Sequence, residues 1–176
     1  MSRAGASSRS RALRVAGSIA LAIGLASCLA PVHRPRIRIL GAVETVRVAE
    51  AGLFFNATIE PKRRSTAIHA TDLQIEEAAN EPRRNIGKRI RFFIQNELGE
   101  RQVINTRISG LSRFDTSGSE TDGVRYLVPL TLEVSDIERL VEVELANKGA
   151  DPHKLQIGRD WVGEDLRVDP KQRGAD

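Results

Sequence analysis

Asn85-Ile-Gly-Lys-Arg-Ile-Arg-Phe-Phe-Ile-Gln-Asn-Glu-Leu-Gly99 decides the fold, because its apolar residues satisfy two periods at once. Ile86, Ile90, Phe93, Ile94 and Leu98 fall at offsets 0, 4, 7, 8 and 12, one stripe of a helix with 3.6 residues per turn. Asn85 stands before the stripe as a candidate N-cap. Gly99 stands after it, where a left-handed residue ends a helix. The competing reading puts Ile90, Phe92 and Ile94 on one face of a strand, with a turn at Leu98-Gly99. The spacing and the end signals together predict the helix.

A second stretch poses the same question. Ser135 and Glu138 have capping-box spacing, and Ile137, Leu140, Val141 and Leu145 form a stripe ended by Asn147 and Gly149, with Pro152 beyond. Against this helix stands Val141-Glu142-Val143-Glu144, which alternates as a strand does.

Around these two segments the texture is strand-like. Ile37, Ile39, Val43, Val46 and Val48 suggest one or two short strands broken at Gly41. Leu53–Glu60 and Thr66–Ile75 follow, joined by a turn at 61–65. Val103–Phe114 and Val124–Val134 come next, then Leu155–Ile157 and Trp161–Val168. Pro129 cannot donate to a ladder, so it is expected at an edge or a bulge. From Thr66 the order is strand, helix, strand, strand, helix, strand. The fold expected is α+β, an antiparallel sheet with two helices on one face in a split βαβ arrangement; an all-β sandwich is the alternative if the helices fail.

The N-terminal segment reads differently. Arg3, Arg9, Arg11 and Arg14 precede Val15–Ala26, an uncharged apolar run of about a dozen residues, shorter than the roughly 20 that a transmembrane helix needs. A positive stretch, a short apolar stretch and small residues at a cleavage point describe a secretory signal peptide. The run ends Leu25-Ala26-Ser27-Cys28, which resembles the lipobox of bacterial lipoproteins. The resemblance implies removal of residues 1–27, diacylglycerol on the Cys28 sulfur and anchorage to a membrane by acyl chains. Leu29, rather than Asp, implies sorting to the outer membrane, facing the periplasm. Cys28 is the chain's one cysteine, so the domain beyond it holds none for a disulfide or a thiol nucleophile. The expected layout is a signal peptide (1–27), a lipidated cysteine and proline-containing tether (28–36), a single α+β domain (37–168) and a disordered tail (169–176).

Charge sharpens this reading. The whole chain carries +4, but removing the four signal-peptide arginines from its 27 basic residues leaves 23, equal to the 23 acidic ones. The basic balance therefore belongs to the export signal and gives no reason to expect nucleic-acid binding. Charge is segregated within the domain, however. Residues 83–113 hold eight basic and two acidic side chains, whereas residues 114–151 hold three and nine. Arg83, Arg84, Lys88, Arg89 and Arg91 are the candidate anion-binding residues, off the apolar stripe of the first expected helix.

Catalytic signatures are missing. His33, His69 and His153 are isolated and read as surface or capping residues, so no metal and no cofactor are expected. No nucleophile elbow or phosphate-binding glycine loop occurs. The polar loop Asp115–Gly123 lacks the ligand spacing of a calcium loop and reads as a plain connection. Paired carboxylates at Glu76/Glu77, Glu142/Glu144 and Asp160/Glu164/Asp165 are each more simply solvated charges. The functional expectation is a non-enzymatic, lipid-anchored envelope accessory protein that docks on or supports an envelope protein complex. The alternative is a lipoprotein that binds lipid or an anionic glycan on its basic face. The element order is also similar, in layout alone, to small outer-membrane assembly lipoproteins.

Overall fold

Strands carry 57% of the structure and helix about 6%, which overturns the expected α+β architecture and its two helices. The computed structural model describes residues 38–114, 123–169 and 171. The signal peptide, Cys28, the tether, loop residues 115–122 and most of the C-terminal tail lie outside the described residues. In chain order the strands are β1 (Arg38–Leu40), β2 (Val43–Val48), β3 (Leu53–Ile59), β4 (Ala67–Ile75), β5 (Arg89–Gln95), β6 (Arg101–Arg107), β7 (Gly110–Phe114), β8 (Gly123–Val134), β9 (Ile137–Ala146), β10 (Leu155–Ile157) and β11 (Leu166–Val168). A 3-10 turn covers Pro82–Asn85, and a single helical turn, α1, covers Arg159–Val162.

Six of these strands close on themselves in the order β3-β2-β8-β9-β4-β10, with β10 pairing back to β3. Closure gives each barrel strand a neighbour on both sides, so the sheet needs no covering helix. It also separates this fold from the expected alternative, a two-sheet sandwich. The interior is filled by inward residues of alternating strands, among them Val46, Phe55, Ile68, Leu130, Leu132 and Val143, all essentially inaccessible to water. The hairpin β5–β6 extends the sheet beyond β4, β7 adds to β8, and β1 pairs in parallel with β11.

The first expected helix is β5. Ile90, Phe92 and Ile94 are buried and alternate with exposed Arg89 and Arg91. Phe93, which belonged to the helical stripe, lies on the opposite face. All seven residues of β5 are in register with β6, from Arg89 opposite Arg107 to Gln95 opposite Arg101. Gly99 does adopt a left-handed φ of 84°, but it serves the hairpin turn. There the Asn96 side-chain carbonyl accepts from the N–H groups of Leu98 and Glu100 at 3.1 and 2.9 Å. The expected cap Asn85 is instead a buried amide clamp. Its Oδ1 accepts from Ala79 N, and its Nδ2 donates to Ala79 O and to the Tyr126 hydroxyl.

The second expected helix is β9. Val134 pairs with Ile137 across a two-residue turn, Ser135-Asp136, so the capping-box residue is a hairpin corner. Ser135 holds φ at 53° while Asp136 is not in the left-handed region, the pattern of a type II′ turn that favours glycine first. Ser135→Gly should therefore stabilise the fold, by about 0.5 kcal/mol once glycine's greater unfolded-state entropy is discounted. Urea unfolding would show this as a higher midpoint at an unchanged slope. A lower midpoint would mean that the hydroxyl matters more than the backbone.

Two further expectations need correction. Val103–Phe114 is two strands, β6 and β7, which change partners at Ile108-Ser109. Trp161–Val168 is not one strand, since Trp161 lies in α1 and only Leu166–Val168 is extended. The layout likeness to assembly lipoproteins falls with the helices that carried it. Pro129, by contrast, sits in a gap. Leu127 and Thr131 direct their carbonyls to Ser109 N and Ala49 N, so the missing N–H of Pro129 faces the interval where β8 passes from β7 to β2.

Candidate functional site

Two basic surfaces follow from this arrangement. The first is the outer face of β5–β6. Alternation puts Arg89 and Arg91 on the face opposite the core, and register sets Arg107 and Asn105 directly beside them. Arg101 joins the same face with its guanidinium 3.8 Å from the Phe93 ring centre, and Arg91 approaches that ring from 5.6 Å. Asp72 pairs with Arg101, and Glu76 lies 3.9 Å from Arg89. Arg91 and Arg107 have no ion pair among the described residues. Arg89, Arg91 and Arg107 line one shallow depression with Gln74, Glu76 and Asn105.

Of the five basic residues singled out in the sequence, the structure brings Arg89 and Arg91 together on this face. Arg83 and Arg84 are exposed on the 3-10 turn instead, outside that depression, and the Lys88 ammonium donates to Glu77 O. Arg101 and Arg107 were not among the candidates, because only pairing with β5 carries them onto its face.

The second surface is a cleft of about 1020 Å³ on the outside of the barrel. Its floor is Glu144. Register aligns Ser112 of β7 with Arg125 of β8, Leu127 of β8 with Glu144 of β9, and Glu144 with Ala67 of β4. The odd residues of β9 point into the barrel, so Glu144 points out, yet it is only 5% exposed because neighbouring elements cover it. Arg63, from the β3–β4 connection, and Arg125 each place a guanidinium nitrogen 3.2 Å from its Oε2. The Ser112 hydroxyl donates to Oε1 at 2.7 Å. Burial pushes the Glu144 carboxyl up, but hydrogen bonds from Ser112, Ser65 and Arg125 and the charge of Arg63 outweigh it, so the net shift is downward. Glu144 is therefore ionised and buried, where the sequence suggested a solvated charge. Only the tertiary cover of β9 makes that difference.

Around this floor stand Arg64, Arg113, Glu142, Leu140 and Val141. Arg64 and Arg113 are exposed and have no ion pair among the described residues. Asp160 also lines the cleft, but it is engaged. Its carboxylate accepts from Thr66 N at 2.8 Å, from the Thr66 hydroxyl at 2.7 Å and from Trp161 N at 2.9 Å. It ties α1 to the start of β4.

Other candidate chemistry disperses. The buried His69 accepts at Nδ1 from Lys148 N at 3.0 Å, and His153 Nδ1 lies 2.8 Å from Asn56 O. Both rings serve backbone groups. Asp165 is paired with Arg139, whose side chain also caps the α1 carbonyls of Trp161 and Val162.

No family model matches the chain, and no curated protein matches it. Among solved structures, the chain is similar to a structural-genomics crystal structure of Lpg0085, a protein of unknown function (DUF785) from Legionella pneumophila subsp. pneumophila str. Philadelphia 1. The likeness covers 78% of this chain and 97% of that one at 22% identity, with a TM-score of 0.63, and at that identity it establishes a shared fold and nothing of chemistry.

Proposed function

We propose that this is a lipid-anchored, non-enzymatic accessory protein of the bacterial envelope, held through Cys28 with its domain in the periplasm, that docks on an acidic envelope partner through the outer face of β5–β6. The observation that carries the docking surface is the set of four arginines on that face, two of them without an ion pair among the described residues. Arginine's fork binds carboxylates in pairs of hydrogen bonds, and an exposed set of forks steers an acidic partner toward the face. The carboxylates that a hydrolytic reading would need are in part committed already: Glu144 to two arginines, Asp160 to Thr66 and Asp165 to Arg139.

Docking is tested by a photo-crosslinking amino acid in place of the exposed Asn105, with the full chain in cells. One protein adduct at near-stoichiometric yield is expected. It should disappear when Arg89, Arg91, Arg101 and Arg107 are replaced by glutamine. The same fork geometry suits phosphate, so the second reading is lipid phosphate or anionic glycan on this face. It is favoured if the adduct carries lipid or sugar and no protein. Absence of any arginine-dependent adduct sinks both readings. The anchor is tested separately, by intact mass of the membrane-bound protein. An N-terminal Cys28 with acyl mass that Cys28→Ala lacks is expected, and an unmodified chain cut elsewhere overturns it.

A further inference from the structure

We infer that the free edge of β6 takes an extended acidic segment of a partner protein as an added strand. The inference rests on the docking reading of the β5–β6 face and gives the partner its form.

β6 stands last in the order of its sheet, with β5 on one side and, among the described residues, no strand on the other. Two bonds at the ends of the β5–β6 ladder fix which backbone groups face which way. Asn96 N donates to Glu100 O and Ile108 N to Lys88 O, both at 3.0 Å and both in the register of the ladder. Bonded pairs alternate along an antiparallel ladder, so Gln102, Ile104 and Thr106 bond to β5. Arg101, Val103, Asn105 and Arg107 aim their N–H and C=O groups the other way. Across β5 the same alternation holds, since Arg89 O turns from β6 to accept from Glu76 N at 3.0 Å. Among the described residues these four N–H groups of β6 have no partner. Pairing on that side begins only at Ser109, whose N–H donates to Leu127 O at 2.9 Å. Buried N–H groups are almost always paired, so an unpaired run of this length is an edge open to water. Arg101, Asn105 and Arg107 are accordingly exposed.

A free edge is a template for another strand, and strand addition is a common mode of peptide binding. The side chains decide which strand is taken. The residues with outward backbone groups are also those on the docking face. An added antiparallel strand therefore sets alternate side chains beside Arg107, Asn105, Val103 and Arg101. Two β6 edges paired about Ile104 would set Arg101 against Arg107. Like charges opposite each other destabilise, so the edge rejects a copy of itself. Carboxylates at the first and seventh positions of an added strand answer both arginines. Arg107 donates one nitrogen to Gly87 O at 2.8 Å and has no ion pair among the described residues. Arg101 pairs with Asp72 in an exposed bridge, which an incoming carboxylate can replace at little cost. Glu100, the nearest acidic neighbour along the strand, is held by Asn96 Nδ2 at 2.6 Å. Between the arginines, Val103 is half-buried opposite Phe93 and offers apolar contact to the fifth residue. The segment expected matches the seven residues of β6, acidic at both ends with an apolar residue two before the last.

The test is amide hydrogen exchange by NMR on the full-length Cys28→Ala chain, with the heptapeptide acetyl-Glu-Thr-Thr-Thr-Val-Thr-Glu-amide as probe. In the free protein the amides of Gln102, Ile104 and Thr106 should be protected. Those of Arg101, Val103, Asn105 and Arg107 should exchange near the rate of an open chain. Peptide at about ten times its Kd should slow these four about tenfold and leave the other three unchanged. A peptide with lysine for both glutamates should slow none of them. Arg101→Gln/Arg107→Gln should weaken the acidic peptide about fivefold. Val103→Pro removes one edge N–H, puts a ring in its place and spares the β5 ladder. It should abolish the protection and, in cells, the adduct at Asn105. If this variant does not fold, exchange in the parent protein still decides. An arginine-dependent adduct that survives Val103→Pro at the parent's thermal midpoint overturns strand addition and leaves docking standing. Protection of the four amides without any cellular adduct keeps the edge as an acidic-strand site and removes the docking reading. The proposal also falls if the four amides are already slow in the free protein, if the acidic peptide slows none of them, or if the lysine peptide slows them as well.

Discussion

Trp161→Ala should lower the unfolding free energy by about 3–5 kcal/mol, the range for emptying a buried aromatic site. Trp161 is fully buried and joins the main core. Its indole N–H donates to Leu132 O at 3.2 Å, so the substitution also strips a hydrogen-bond donor from a carbonyl near the end of β8. The Arg139 guanidinium lies 5.4 Å from the ring centre and bonds the carbonyls of α1. The tryptophan is thus the peg that attaches the C-terminal turn to the barrel. Against a typical total of about 5–15 kcal/mol, its loss leaves a marginal domain. Trp161→Phe keeps most of the apolar volume and should cost about 1–2 kcal/mol, mostly for the lost donor and the gap behind it. Denaturant unfolding of the three proteins reads both values. A cost below about 1 kcal/mol for alanine would mean that α1 opens independently of the barrel.

Glu144→Gln is expected to be nearly as damaging and to change how stability depends on pH. Removing one member of a fully buried ion pair costs about 3–5 kcal/mol, because the partner is left charged without compensation. Here the partners keep some water, with Arg63 and Arg125 side chains 29% and 25% exposed, so about 2–3 kcal/mol is expected. The pH effect follows from the downward shift of the carboxyl from its ordinary value of 4.5. The unfolded chain binds a proton on this group at higher pH than the folded chain does. The stabilisation is therefore whole above pH 4.5 and is lost as pH falls through the folded value. In the glutamine variant that part of the acid limb should be missing, so the stability difference from the parent shrinks as pH drops below 4.5. A difference that stays constant through this range would show that folding does not lower the pKa of Glu144.

The strands with one dominant local signal were legible in the sequence. Val124–Val134 and Leu53–Glu60 alternate without a rival period, and they stand in the fold as β8 and β3 within a residue or so of each end. The break at Gly41 and the special position of Pro129 were legible for the same reason, because a glycine and a proline restrict or free the backbone wherever they occur. Candidate site residues were legible only as charges along the chain. Arg89 and Arg91 were recognised, but their neighbours Arg101 and Arg107 come from the next strand. Arg63, Arg125, Ser112 and Glu144 span 82 positions of sequence and meet only in the sheet.

By itself, then, the sequence determined the β-rich texture of most of the domain and the extent of those strands, such as β3 and β8, that alternate without a rival period. It also carries the lipobox-like N-terminus, whose reading rests on local order alone. Tertiary structure decided the rest. Ile86–Leu98 and Ser135–Leu145 satisfy helix and strand periods about equally, and a helix can satisfy its own hydrogen bonds whereas a strand needs partners. Those partners, β6 and β4 for one segment and β8 and β4 for the other, lie elsewhere in the chain, and their pairing turned both segments into strands. The same long-range pairing closed the barrel, covered Glu144 and set Arg63 and Arg125 against it. Burial and neutralisation of a charge depend on what packs over it, which no local pattern around Val141-Glu142-Val143-Glu144 records.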